Sequence, residues 1–175
     1  MSFDYTFMYP SDEVYVAYTV PYTYTQMLTH IKHLRLLSDE SHYKFMRFES
    51  LGYSNGNIDI PLIKISNKNK TTGNFEPKPV IFIIGRQHCG ETHSSFIIHG
   101  FINFLISKEV ICHKMREMYD FWLAPIVNPD GVVGGNYRCN TQGKDPNRFF
   151  FADDDPEGLK IRLTEVELIR SYVKK

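Results

Sequence analysis

The sequence predicts a single α/β domain, on three observations. Two continuous apolar runs, Pro79 to Ile84 and Phe121 to Val127, flank a long apolar stretch of helical character, the order expected of a right-handed strand, helix, strand unit in a parallel sheet. Upstream, Ser54-Asn55-Gly56-Asn57 lies between two strand-like runs and marks a hairpin. With 175 residues, 42% hydrophobic and 14% aromatic, the chain has apolar surface for one core and buries roughly 70% of its unfolded surface on folding.

Each element follows from its local pattern. Residues 13–20, EVYVAYTV, mix aromatic and β-branched types before Pro21 and predict a strand. Met27, Leu28, Ile31, Leu34 and Leu37 recur at helical steps after Thr23 or Thr25 as N-cap, and His30 and His33 are expected to face solvent. Phe45 to Tyr53 and Ile58 to Ile65 form the hairpin, with Pro61 placing its second strand at an edge or a bulge. Asn67 to Lys78 is a polar surface loop. Pro79 to Ile84 reads as a strand covered on both faces that ends at Gly85, and Thr92 to Ser107 as a largely buried helix. Asn128-Pro129-Asp130-Gly131 is a turn by composition. Asp153 to Asp155 and Pro156 lead into a last helix, for which Thr164-Glu165-Val166-Glu167 supplies a capping box before Leu168, Ile169, Tyr172 and Val173.

Twenty Lys plus Arg balance twenty Asp plus Glu. No bulk basic field draws the chain to nucleic acid or to an anionic membrane, so neither is an expected partner. The longest apolar stretch, Phe96 to Ile106, is far shorter than the roughly 20 residues of a transmembrane helix. Three widely spaced cysteines and an N-terminus without basic and apolar signal regions point to a reducing, cytosolic compartment.

Ligands in open α/β sheets sit beyond the carboxyl ends of the strands, and two polar clusters occupy that edge. In Gly85-Arg86-Gln87-His88-Cys89-Gly90-Glu91, an imidazole and a carboxylate three residues apart can reach one ion from the same side. The spacing alone is weak, since seven His and ten Glu give roughly 0.4 such pairs by chance, and the pair reads equally well as a loop ion pair. The second cluster runs from Asn128 to Arg148. Its Arg138 and Arg148 are either solvated surface arginines or a grip on a carboxylate through paired hydrogen bonds. Gly131-Val132-Val133-Gly134-Gly135 lacks a following Gly-Lys-Ser/Thr, which argues against a nucleotide cradle.

Taken together, Gly85 through Ser95, Asn128-Pro129-Asp130-Gly131-Val132, Gly135-Asn136-Tyr137-Arg138-Cys139 and Asp145-Pro146-Asn147-Arg148 resemble the cytosolic carboxypeptidase branch of the zinc metallocarboxypeptidases. The stretch from Tyr5-Thr6-Phe7 to Pro21-Tyr22-Thr23-Tyr24 resembles the opening of that family's catalytic domain. The resemblance spans about residues 5 to 150. It implies an α/β fold, a mixed sheet with helices on both faces, truncated before the C-terminal half. Residues 1–175 would then be the N-terminal half of a catalytic domain, without the family's preceding β-rich domain. It further implies one Zn2+ ion with His88 and Glu91 as two of three ligands, the two-histidine, one-glutamate set being the one known from carboxypeptidase A. Arg138 would polarise the scissile carbonyl, and Asn147 and Arg148 would hold the substrate's terminal carboxylate. The implied activity is removal of C-terminal amino acids, glutamate above all, from acidic protein tails such as those of tubulin, in the cytoplasm and at microtubules or cilia.

The sequence also departs from the family. The third ligand, a histidine, and the catalytic glutamate are expected after the last helix, whereas His113 is the last histidine present. Cys89 replaces a common proline and is either a supplementary thiolate ligand or an ordinary loop thiol. His93 replaces an asparagine, and Pro146 a leucine. These departures leave a catalytically inactive module that binds acidic tails, or a related zinc amidase or deacylase, as alternatives.

Overall fold

The computed structural model describes residues 2–69, 71–150 and 163–174. Helix α1 (Tyr24–Asp39) begins in a full capping box: Thr23 accepts from the Gln26 N–H, and the Gln26 side chain accepts from the Thr23 N–H. Strands β1 (Met46–Tyr53) and β2 (Asp59–Ile65) form the hairpin, followed by β3 (Val80–Ile84). Then come α2 (Thr92–Ile106), α3 (Val110–Met118), β4 (Asp120–Ala124), the short α4 (Pro129–Val133) and α5 (Thr164–Val173). The strands lie in the order β1-β2-β4-β3, with β1/β2 and β2/β4 antiparallel and β3/β4 parallel. The sheet is therefore mixed, as expected.

Side-chain alternation along the strands splits the core into two layers. Ile63, Ile65, Phe121 and Leu123 point to one face, where Met27, Ile31 and Leu34 of α1 and Ile98, Ile102 and Leu105 of α2 cover them. Leu62, Ala124, Phe82 and Trp122 point to the other, covered by Leu168, Ile169 and Tyr172 of α5. Each fully buried Ile or Leu contributes about 1.5–3 kcal/mol. Helices thus lie on both faces.

Several expectations change. Residues 13–20 form no strand: Tyr15, Val16 and Tyr18 are exposed, and the alternating pattern has no neighbouring strand to pair with among the described residues. His30 is buried, because it lies three residues after Met27 and four before Leu34 on the apolar stripe of α1. Phe96, Ile97 and Phe104 of α2 are exposed, since the sheet and α1 cover only one side of that helix. Strand β3 is an edge strand and only half-buried. Pro61 stands opposite Ser50, next to the bulge that displaces the register before Gly52, as a residue without an N–H requires. Asn128 to Gly131 is a helix start rather than a bare turn, the Asn128 side chain accepting from the Gly131 N–H. The capping box of the last helix does not form: Thr164 is already helical, and Glu165 turns inward to accept from Asn140 Nδ2 at 2.9 Å. Asp153 to Pro156 lie outside the described residues. No single helix among the described residues is long and apolar enough to cross a membrane.

At the edge where β4 begins, Arg116 of α3 is buried. It donates to the Leu105 and Ser107 carbonyls at the end of α2 and to Asn67 Oδ1, and its guanidinium lies 4.2 Å above the Phe45 ring. Those carbonyls lack helical partners, so the cation both satisfies them and complements the helix dipole. At the opposite edge, Asp130 clamps the hairpin turn, accepting from Ser54 Oγ and from the Gly56 N–H at 2.8 Å. The left-handed residue of that turn is Asn57, and Gly56 is needed for closeness instead: a Cβ there would lie 2.6 Å from Asp130 Oδ1.

Candidate functional site

Strands β3 and β4 end side by side, and the chain leaving each builds one wall of a crevice. The Gly85 N–H reaches the Ala124 carbonyl at 2.9 Å, and the Val127 N–H returns to the Gly85 carbonyl at 3.0 Å. After Gly85 the chain turns through Arg86 in the left-handed region (φ 51°). Asn128 joins the two walls, donating from Nδ2 to the Gln87 carbonyl and to Cys89 Sγ. The Gly90 N–H reaches the Tyr137 carbonyl at 2.6 Å. The walls meet so closely at Gly131 that a Cβ would lie 2.2 Å from Cys89 Sγ.

His88 sits between two carboxylates. Its Nδ1 is 3.1 Å from Glu91 Oε1, and its Nε2 is 3.0 Å from Asp145 Oδ1. Asp145 begins a 3-10 turn, Pro146–Arg148, whose Asn147 N–H it caps at 2.9 Å. Arg138 donates from Nε to Asp145 Oδ2 at 2.8 Å. Burial pulls the Asp145 carboxyl upward, but the Asn147 N–H, Arg138 and His88 outweigh it and hold its pKa below the usual carboxylate range. One short turn thus brings Asn147 and Arg148 beside Arg138 and the His88 pair, with both Asn147 and Arg148 exposed.

The donor chemistry fits a metal ion. Both ring nitrogens face a carboxylate oxygen; in the tautomer that carries its proton on Nε2, toward Asp145, Nδ1 presents a lone pair beside Glu91, and a cation between the two would be held by both. Two ligands about 2.0–2.2 Å from a tetrahedral zinc are themselves roughly 3.3–3.6 Å apart, so the 3.1 Å pair has to open by only a few tenths of an ångström to admit the ion. Among the described residues, no group of three or more His, Cys, Asp or Glu side chains completes a closed set. His93 is exposed on α2. His99 is engaged elsewhere, sharing a hydrogen bond of 2.9 Å between its Nδ1 and the Tyr22 hydroxyl and stacking on His30 with ring centroids 3.4 Å apart. Cys89 behaves as a structural thiol: it is buried, 3.1 Å from the Cys139 carbonyl, and burial pushes its pKa up to about 11. His113 Nδ1 lies 3.6 Å from Glu117 Oε2 on the exposed side of α3, the helix that precedes β4 rather than the chain that leaves it.

Sequence reasoning gives no role to Asp145, Arg86 or Asn128. Asp145 has a local signal, an acidic residue just ahead of Pro-Asn-Arg in a cap position. Its partner His88 lies 57 residues away, so the pairing comes only from the shared sheet edge.

A family model described as zinc carboxypeptidase matches residues 31–164. Cytosolic carboxypeptidase 1 of Danio rerio is 37% identical over 153 residues, covering 85% of this chain and 13% of that protein. Cytosolic carboxypeptidase 6 of Mus musculus is 40% identical over 148 residues, covering 85% of this chain and 26% of that protein. Among solved structures, a metallo-carboxypeptidase from Burkholderia cenocepacia is 25% identical with a TM-score of 0.72, over 88% of this chain and 38% of that one. Carboxypeptidase A from Helicoverpa armigera, at 19% identity and a TM-score of 0.62 over 87% of this chain and 42% of its own, shares the fold. This chain therefore spans well under two thirds of the length of each of these proteins.

Proposed function

Because the chain belongs to the zinc carboxypeptidase family, we propose that its crevice serves the removal of C-terminal amino acids from peptides. Its substrate class is the acidic protein tail ending in glutamate, tubulin tails among them. His88 and Glu91 would hold the zinc, and Asp145 keeps the His88 ring in the tautomer that offers Nδ1. When bound, zinc supplies Lewis acidity and a water of lowered pKa. Arg138 is anchored through Nε on Asp145, which leaves its terminal nitrogens to donate to the scissile carbonyl oxygen as negative charge develops there. Asn147 and Arg148 take the terminal carboxylate, so only a free chain end fits. The Arg148 side chain is exposed and donates within the chain to the Asn147 carbonyl at 3.3 Å, a bond readily exchanged for a carboxylate. The relatives' names support a cytosolic location, and a tubulin substrate would bring the protein to microtubules or cilia.

The observation that carries this reading is the line Glu91, His88, Asp145, Arg138, which joins a metal-binding pair to a carbonyl-binding cation through one carboxylate. The test compares, in the presence of zinc, a peptide ending in glutamates with the same peptide ending in an amide. The free acid should bind and the amide should not, and Arg148→Ala should abolish the difference. Equal binding of both peptides would overturn the reading. Glutamate release in the same samples shows hydrolysis, selective binding without release makes the crevice a tail-binding module, and preferred cleavage of acyl amino acids makes it an amidase.

A further inference from the structure

Arg86 is 5% exposed and stands one residue beyond Gly85 at the end of β3, two before His88. Every polar group it has is engaged. Its N–H donates to Ser94 Oγ at 2.9 Å, and its carbonyl accepts from the Asn128 N–H at 3.3 Å. Its guanidinium donates twice to one oxygen, from Nε at 2.8 Å and Nη2 at 2.6 Å to the Cys89 carbonyl, while Nη1 donates to the Tyr22 carbonyl at 2.7 Å. The backbone adopts the left-handed region to turn that side chain back over its own loop (φ 51°), a conformation costly for a long side chain and sustained only where surrounding bonds over-determine it.

We propose that Arg86 is a positioning residue for the His88 and Glu91 pair. The Cys89 carbonyl belongs to the peptide that leads from His88 through Gly90 to Glu91. Gly90 leaves that peptide free to rotate, and rotation would carry the two side chains apart. The paired hydrogen bonds from Arg86 fix it from one side, while the Gly90 N–H on the Tyr137 carbonyl fixes it from the other. The third bond moors the loop to Tyr22, whose hydroxyl is held by His99 of α2. Only a planar fork reaches one carbonyl twice and a second carbonyl once, and a lysine cannot reproduce it.

This inference rests on reading His88 and Glu91 as zinc ligands, and its test separates the two claims. Arg86→Lys is compared with Arg116→Lys, which alters an equally buried arginine at the far edge of the sheet. Amide exchange at Gly90 and Glu91 reports loop order without metal, and chelator competition reports zinc affinity. Arg86→Lys should speed exchange at those two amides at least about 10-fold relative to the core strands and weaken zinc binding about 10- to 100-fold. Arg116→Lys should change neither, even where it lowers the melting temperature. Unchanged Gly90 and Glu91 exchange in Arg86→Lys, or an equal acceleration in Arg116→Lys, overturns the proposal. Faster loop exchange with no zinc bound by any form supports the positioning role and removes the zinc reading instead.

Discussion

Arg86 and Arg116 are each 5% exposed, each bonded to backbone carbonyls, and placed at opposite edges of the same sheet. Arg116 sits in a helix and closes the end of another, a task that any helix end presents. Arg86 sits in a left-handed turn and closes a loop on itself beside a histidine held by two carboxylates. The difference is one of purpose written in backbone geometry. At Arg116, which completes a helix end, the chain keeps helical angles, and at Arg86, in its proposed positioning role, the chain departs from them.

Substitutions at the two edges should therefore separate stability from binding. The largest effect is expected at the structural edge. Arg116→Met leaves the Leu105 and Ser107 carbonyls and Asn67 Oδ1 without their buried donor, and should cost about 2–4 kcal/mol in urea melts while zinc affinity per folded molecule stays constant. A loss of zinc affinity as large as that of His88→Ala would erase the distinction between the edges.

At the site edge, Asp145→Asn keeps the cap on the Asn147 N–H, because asparagine caps as well as aspartate, but removes the charge facing His88. Zinc affinity should fall about 10- to 100-fold with little change in melting temperature. A large drop in melting temperature with affinity intact would make the site edge as structural as the other.

A smaller effect is expected between the edges, where α1 meets α2. Burial first, then the neighbouring His99, lowers His30 to about 4, with the bond to Asn103 opposing, and burial also lowers His99. The folded state thus favours both rings neutral, whereas the unfolded chain takes up protons near pH 6.5. Their contribution is complete above about pH 6.5 and is lost as pH falls toward 4. Urea midpoints should decline over that window, and His30→Phe should flatten the decline. The smallest effect is expected for Glu117→Gln, which breaks the exposed pair with His113 and should shift stability by less than about 0.5 kcal/mol.

What is legible in the sequence follows from which forces are local. The Thr23 cap, the apolar stripe of α1, the Asn-Gly hairpin and the paired apolar runs of β3 and β4 are patterns of neighbours along the chain, and they can be read as such. The stretch 13–20 carries a strand pattern without a partner, because alternation describes a face and not what lies beside it. His30 is legible in principle from its place on the apolar stripe, yet its polarity points the other way, and position outweighs polarity once Asn103 bonds the ring and His99 stacks on it. At the site, the histidine and glutamate three apart gain meaning from the surrounding motifs. The bonds that hold them, from Asp145, Asn128 and Arg86, join segments that only the sheet edge brings together.

The clamp on the hairpin turn bears on how the protein ages. Asparagine followed by glycine loses its side-chain nitrogen as ammonia when the glycine's backbone nitrogen attacks the asparagine side-chain carbonyl carbon and closes a five-membered imide. In Asn55-Gly56 that nitrogen is the one whose hydrogen Asp130 holds at 2.8 Å, in a turn too crowded to accept even a Cβ at Gly56. To reach the side-chain carbon the Asn55–Gly56 peptide must rotate and its nitrogen must give up that hydrogen, and the bond to Asp130 restrains the rotation. The dipeptide that makes the turn is therefore guarded, while folded, against its own spontaneous deamidation, and incubation should convert Asn55 faster in the unfolded chain than in the native one.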